Sequence, residues 1–183
     1  MFFFGRQVDV QEEPSLRSNQ EETDTRVLLY LNHAENIGFK SAVVRTPDTD
    51  IFMILLHYYH NLKITVYLDT GCGRKRRLIN ITELAKSLGK EFSNVLLRFY
   101  VFTGEDCTSA FKGKSKVQPL KKLKRNERFF NAFSRLCEKW TISEEIIQSL
   151  EDFTCKMYGD TRSSSVDSSR VNLLRKMVGE GNF

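Results

Sequence analysis

The chain has 183 residues, 40% of them hydrophobic and 28% charged, and carries a net charge of +5. That composition fits one globular domain, or one domain with a tail, and excludes global disorder. Its longest apolar stretch, Ile51 to Leu56 with Tyr58 and Tyr59 just beyond, falls far short of the ~20 residues of a membrane span, so no membrane partner is expected. The opening Met-Phe-Phe-Phe-Gly-Arg lacks the basic and long apolar regions of a signal peptide. Cys72, Cys107, Cys137 and Cys155 are scattered, with no Cys-x-x-Cys. Reduced thiols in an intracellular protein are therefore expected rather than a cysteine zinc site. The charge is unevenly spread. Residues 1–24 hold six acids against two bases, and residues 112–128 hold eight bases against one acid. A second basic knot is Arg74-Lys75-Arg76-Arg77. Such clusters suit a polyanion, because phosphate contacts release counterions. They equally suit a solvated face or a nuclear-import patch, which makes the nucleus a compatible location.

Residues 1–20, polar and patternless around Pro14, read as a loose, disordered lead-in. A helix begins near Glu22, with Val27, Leu28, Leu31 and Ala34 on one stripe and Gly38 at its end. Residues 41–46 read as a short buried strand stopped by Pro47, and Ile51–His60 as a buried helix. Residues 63–68 alternate and are β-branched. They form a hairpin with residues 75–81 through the turn at 70–73. A short helix follows at 82–88, stopped by Gly89. Residues 95–102 are apolar all round except Arg98 and are taken as helix. Phe129, Phe130, Phe133, Leu136, Cys137 and Trp140 mark one amphipathic helix. Thr141 with Glu144 makes a capping box for the next, which carries Ile146, Ile147, Leu150, Phe153 and Met157. Residues 159–169 read as a Ser-rich linker, and 171–178 as a marginal helix. The order predicts an α/β sheet followed by a helical half.

Acids recur at three similar places. Glu22 and Asp24 lie where a helix begins, Asp48 and Asp50 follow a strand, and Asp106 lies in a Gly-x-Asp turn. Acids after strand ends are where open α/β sheets put their sites. Converging carboxylates need cations to remain ionised, and an oxygen-only set favours Mg2+ or Mn2+. Each acid also has a structural reading: Asp24 at a helix dipole, Asp50 as an N-cap, Asp106 in a turn. His57-x-x-His60 has helical spacing but no third ligand, and Gly71-Cys-Gly-Arg-Lys lacks the spacing of a phosphate loop. No nucleotide cofactor is expected.

Glu21-Glu-Thr-Asp-Thr-Arg26, Thr46-Pro-Asp-Thr-Asp50 and Thr103-Gly-Glu-Asp106, the last followed by Lys112-Gly-Lys114, occur in that order. Together they resemble the flap-endonuclease-type branch of the PIN-like nuclease superfamily, over about residues 18–125. The resemblance implies that Glu22, Asp24, Asp48, Asp50 and Asp106 are catalytic metal ligands for hydrolysis of nucleic-acid backbones. It implies an incomplete PIN-like sheet with helices over residues 21–125, then a helical extension at 126–158 and a polar linker with a marginal helix at 159–183. Lys112, Lys114 and Lys116, with Lys121, Lys122, Lys124 and Arg125, stand where the family grips a duplex, though without its Gly-Ile-Gly wording. Thr23 and Glu105 replace a common Ala and a common Cys. The family's first strand bears an Asp, and a later Asp precedes the Glu pair. Only about 20 residues stand before Glu22, where a strand–helix–strand unit takes ~30 or more. The expectation is an N-terminally truncated remnant of a metal-dependent nuclease-like domain that binds nucleic-acid phosphodiesters and cleaves them weakly or not at all. Residues 42–46 would then expose an unpaired strand edge. The alternative is a non-catalytic module binding nucleic acid or protein.

Overall fold

The computed structural model describes residues 12–19 and 23–179, so Glu22 lies outside the described residues. The chain forms two compact units, residues 1–84 and 85–183. The first is α/β. Helix α1 (Thr23–Asn36) precedes strand β1 (Ser41–Arg45), helix α2 (Thr49–Tyr58), and strands β2 (Thr65–Thr70) and β3 (Arg77–Asn80). The strands make a small mixed sheet in the order β1-β2-β3, with β1 parallel to β2 and β3 antiparallel to it. Among the described residues β1 is an edge strand, and Val43 on it is 62% exposed.

The core of this unit forms as hydrophobic periodicity dictates. Leu31 of α1, Ile51, Met53, Leu55 and Leu56 of α2, and Val66 and Leu68 of β2 are buried. Strand β2 starts two residues later than its composition suggests. The Lys63 backbone N–H donates to the Glu35 carboxylate at 2.8 Å instead of to a strand partner. Upstream, where the sequence suggests a loose lead-in, Pro14–Leu16 form a 3-10 turn beside α1, and the Ser15 hydroxyl lies 3.2 Å from His33 Nδ1.

Helix α3 (Ile81–Leu88) follows, its Glu83 N–H capped by the Asn80 side chain at 3.1 Å. The second unit is helical: α4 (Lys90–Phe102), α5 (Val117–Arg125), α6 (Glu127–Arg135), α7 (Glu144–Met157) and α8 (Val166–Val178). Its centre is aromatic. Phe153 packs edge-on against Phe133 at 5.2 Å and Phe129 at 5.3 Å, and Phe99 lies 6.2 Å away. Val95, Leu123 and Met157 close the cluster.

The basic segment forms a helix, α5, which buries Pro119 and Leu123. Three expectations fail in this unit. Helix α6 stops at Arg135 instead of running to Trp140. The Arg98 guanidinium takes the carbonyls of Phe133 and Ser134, Leu136 turns extended, and Cys137 adopts φ 66°. Trp140 is left fully exposed. The N-cap of α7 is Ser143, so Thr141 lies outside the helix and no capping box forms. The Ser-rich stretch is built rather than loose. Helix α7 closes with Gly159 N–H on Lys156 O at 3.2 Å and Asp160 N–H on Cys155 O at 3.1 Å. That pairing is the Schellman pattern. The Asp160 carboxylate then accepts from the backbone N–H groups of Ser163 and Arg162 and from the side chains of Ser169 and Asn172. These donors, the Ser163 backbone first, hold its pKa well below the carboxylate range. Helix α8 consequently starts five residues earlier than its apolar pattern shows.

Phe153→Ala should cost about 3–5 kcal/mol of stability, the usual effect of emptying an aromatic core site. Trp140→Ala, at a solvent-facing position, should stay within about 0.5 kcal/mol. Urea unfolding of the two variants checks this. Equal losses would mean that Trp140 belongs to the core and α6 runs on.

Candidate nucleic-acid interface and acidic residues

In the first unit Asp48 and Asp50 follow the carboxyl end of β1. Thr46 follows β1 and is buried, and its backbone N–H donates to Asp69 O at 3.1 Å. Pro47 turns the chain out. Asp48 is the N-cap of α2, accepting the Asp50 N–H at 2.8 Å, while its own N–H donates to the Thr46 hydroxyl at 3.0 Å. The cap is therefore Asp48, and Asp50 sits in the first turn, where the helix dipole favours a negative charge. Asp24 lies in the first turn of α1, half-buried.

The best-organised acid of this unit is one that the sequence reading passed over. Asp69, at the end of β2, is 5% exposed. Arg45, its register partner on β1, donates to Oδ2 at 2.6 Å. Arg76 donates through Nε to Oδ1 at 2.8 Å and through Nη2 to Oδ2 at 2.7 Å. The Arg76 hydrogen bond, reinforced by Arg45, lowers the Asp69 pKa to about 2. A signal was present in the sequence. An Asp closing the apolar run Thr65-Val-Tyr-Leu68 needs a cation, and Arg45 closes the run on the neighbouring strand.

In the second unit, Asp106 is exposed in the turn after α4. Gly104 sets that turn. Its φ is +104°, and a Cβ there would stand 2.5 Å from Ala110 Cα, so only glycine fits. The basic candidates separate into two groups. Lys116 is half-buried and donates to Tyr100 O at 3.1 Å, the Thr103 hydroxyl at 3.2 Å and Gly104 O, closing the carboxyl end of α4. Lys122 donates to Lys156 O at 2.6 Å, near the carboxyl end of α7. These two ammonium groups hold the fold together. Lys112, Lys114, Lys121, Lys124 and Arg125 are exposed. Lys114 Nζ lies 4.8 Å from the Tyr158 ring centre and Lys124 Nζ 4.6 Å from that of Phe92, contacts that leave their outer faces to solvent.

Among the described residues no three His, Cys, Asp or Glu side chains come together as a metal site. The candidate carboxylates match Mg2+ or Mn2+ in kind, since all are oxygen donors. Those described fall short in number of a centre that clamps two ions. No family model matches the chain, and no curated protein and no solved structure matches it either.

The clamp on Asp69 makes stability depend on pH. A folded pKa of about 2 lies below the unfolded value of ~3.9. Its contribution is therefore full above pH ~4 and is lost as pH falls through about 2. Asp69→Asn should lower the urea midpoint at pH 7, and the gap to the parent should narrow below pH ~4. A gap that is constant from pH 7 to pH 2 would contradict the clamp.

Proposed function

We propose that the chain is a nucleic-acid-backbone-binding module of the PIN-like, flap-endonuclease type, with little or no hydrolytic activity of its own. The observation that carries this reading is the exposed basic side of α5, with Lys121, Lys124 and Arg125, preceded by Lys112 and Lys114. Its opposite side is anchored in the core by Leu123. A rigid helix with clustered cations along its solvent side suits phosphates without reading bases. The order of the three acidic motifs supports the nuclease-like part of the reading. In it, the carboxylates Glu22, Asp24, Asp48, Asp50 and Asp106 are candidate ligands that would meet Mg2+ or Mn2+ only weakly. Hydrolysis is slow because in-line attack needs both the entering and the leaving oxygen clamped.

Fluorescence anisotropy with labelled single-stranded DNA tests the binding. Lys121→Ala, Lys124→Ala and Arg125→Ala combined should weaken it about tenfold whatever the base sequence and flatten the log–log salt slope by about two units. Unchanged affinity at low salt would make α5 a solvated face. A cleavage assay in Mn2+ tests the rest. Rapid hydrolysis abolished by Asp48→Asn or Asp106→Asn would restore an enzyme in place of a binding module.

A further inference from the structure

A second charged surface, outside α5, is the turn between β2 and β3. Cations crowd it: Arg74, Lys75, Arg76 and Arg77 are consecutive and exposed, and Arg45 reaches the same place from β1. Because β1 and β2 run parallel, with Arg45 opposite Asp69, this turn lies at the same end of the sheet as the Thr46–Asp48 loop.

The turn is also tightly built. Gly71 has φ +75°, and a Cβ on it would meet Lys75 O at 2.5 Å, so the chain folds back tightly on itself. Residues 73–75 form a 3-10 turn, with Arg76 N–H on Gly73 O at 3.2 Å. Asp69 fixes two of the cations. Arg45 Nη1 and Arg76 Nη2 converge on its Oδ2, while their side chains remain 58% and 61% exposed. One buried carboxylate thus holds two guanidinium groups side by side, each with further N–H donors turned to solvent. Cations fixed in advance lose less side-chain entropy on meeting an anion than free lysines do.

We infer that the β2–β3 turn is a second phosphate grip for the nucleic-acid backbone, formed by Arg45, Arg74, Lys75, Arg76 and Arg77 and held in shape by Asp69. The inference rests on the proposed nucleic-acid reading and extends it to the first unit, beside Asp48. Asp69 is a positioning residue here. It does not touch the nucleic acid.

The test uses the full chain and labelled single-stranded DNA in EDTA, so that metal plays no part. Two charge-matched variants are compared, Arg74→Ala/Lys75→Ala/Arg77→Ala and Lys121→Ala/Lys124→Ala/Arg125→Ala. The first should lose about tenfold in affinity and about two units of salt slope, comparable to the second. If only the α5 variant loses affinity, the turn is not a grip and the inference fails while the proposed function stands. If neither loses affinity, both fail. Asp69→Asn supplies a separate readout. It raises the net charge by one, so a diffuse field would tighten binding. A positioning role predicts weaker binding in protein whose circular dichroism shows it folded. Tighter or unchanged binding by folded Asp69→Asn protein overturns the positioning role. Turn-variant protein that keeps its DNA affinity but loses affinity for phosphatidylserine-containing vesicles would assign the turn to a lipid surface and overturn the inference.

Discussion

The carboxyl end of the sheet depends on one buried carboxylate. Asp69 could not remain charged at 5% exposure without cations, because an unpaired buried charge is expensive. Two arginines meet that need, and each comes from a different segment. Arg45 ends β1, and Arg76 leads into β3. The ion-pair network therefore ties the end of all three strands, and the positions of the Thr46–Asp48 loop and of the basic turn follow from it. The same contacts hold the guanidinium groups at the surface, so one interaction both stabilises the sheet end and arranges a cationic strip.

The second unit solves a different problem. Five helices end in carbonyl groups that need donors, and long cationic side chains supply several of them. Lys116 closes α4, Arg98 closes α6, and Lys122 reaches the last turn of α7. Below these ends the phenylalanines around Phe153 fill the interior. The basic run is therefore not uniform. Some of its charges stabilise helix ends, while Lys121, Lys124 and Arg125 stay exposed on the outer side of α5.

Much of this was readable from patterning. The stripe of α1, the apolar run of α2 and the β-branched run of β2 each predict the element that forms, because burial of one face decides them. The errors fall where a side chain from elsewhere in the chain overrides the local pattern. Glu35 takes the Lys63 N–H and delays β2. Arg98 ends α6 early and strands Trp140 in solvent. Asp160 gathers four donors and turns a Ser-rich stretch into an ordered lead-in to α8. No periodicity carries such contacts. The candidate site shows the same division. Asp48 and Asp50 were legible as acids after a strand, and the exposed side of α5 as a charge cluster. The anchoring of Lys116 and Lys122 was not, since a lysine's partner depends on which helix end lies within its reach.

We propose that this chain holds nucleic acid by the phosphate backbone, with the outer side of α5 and the β2–β3 turn as its two grips. Backbone amide hydrogen exchange of the whole chain, with and without saturating single-stranded DNA, tests it most directly. Backbone binding by these two segments should slow exchange only in residues 71–77 and 112–125, and raising the salt should reverse it. Slowed exchange elsewhere, with these two segments unchanged, would contradict it.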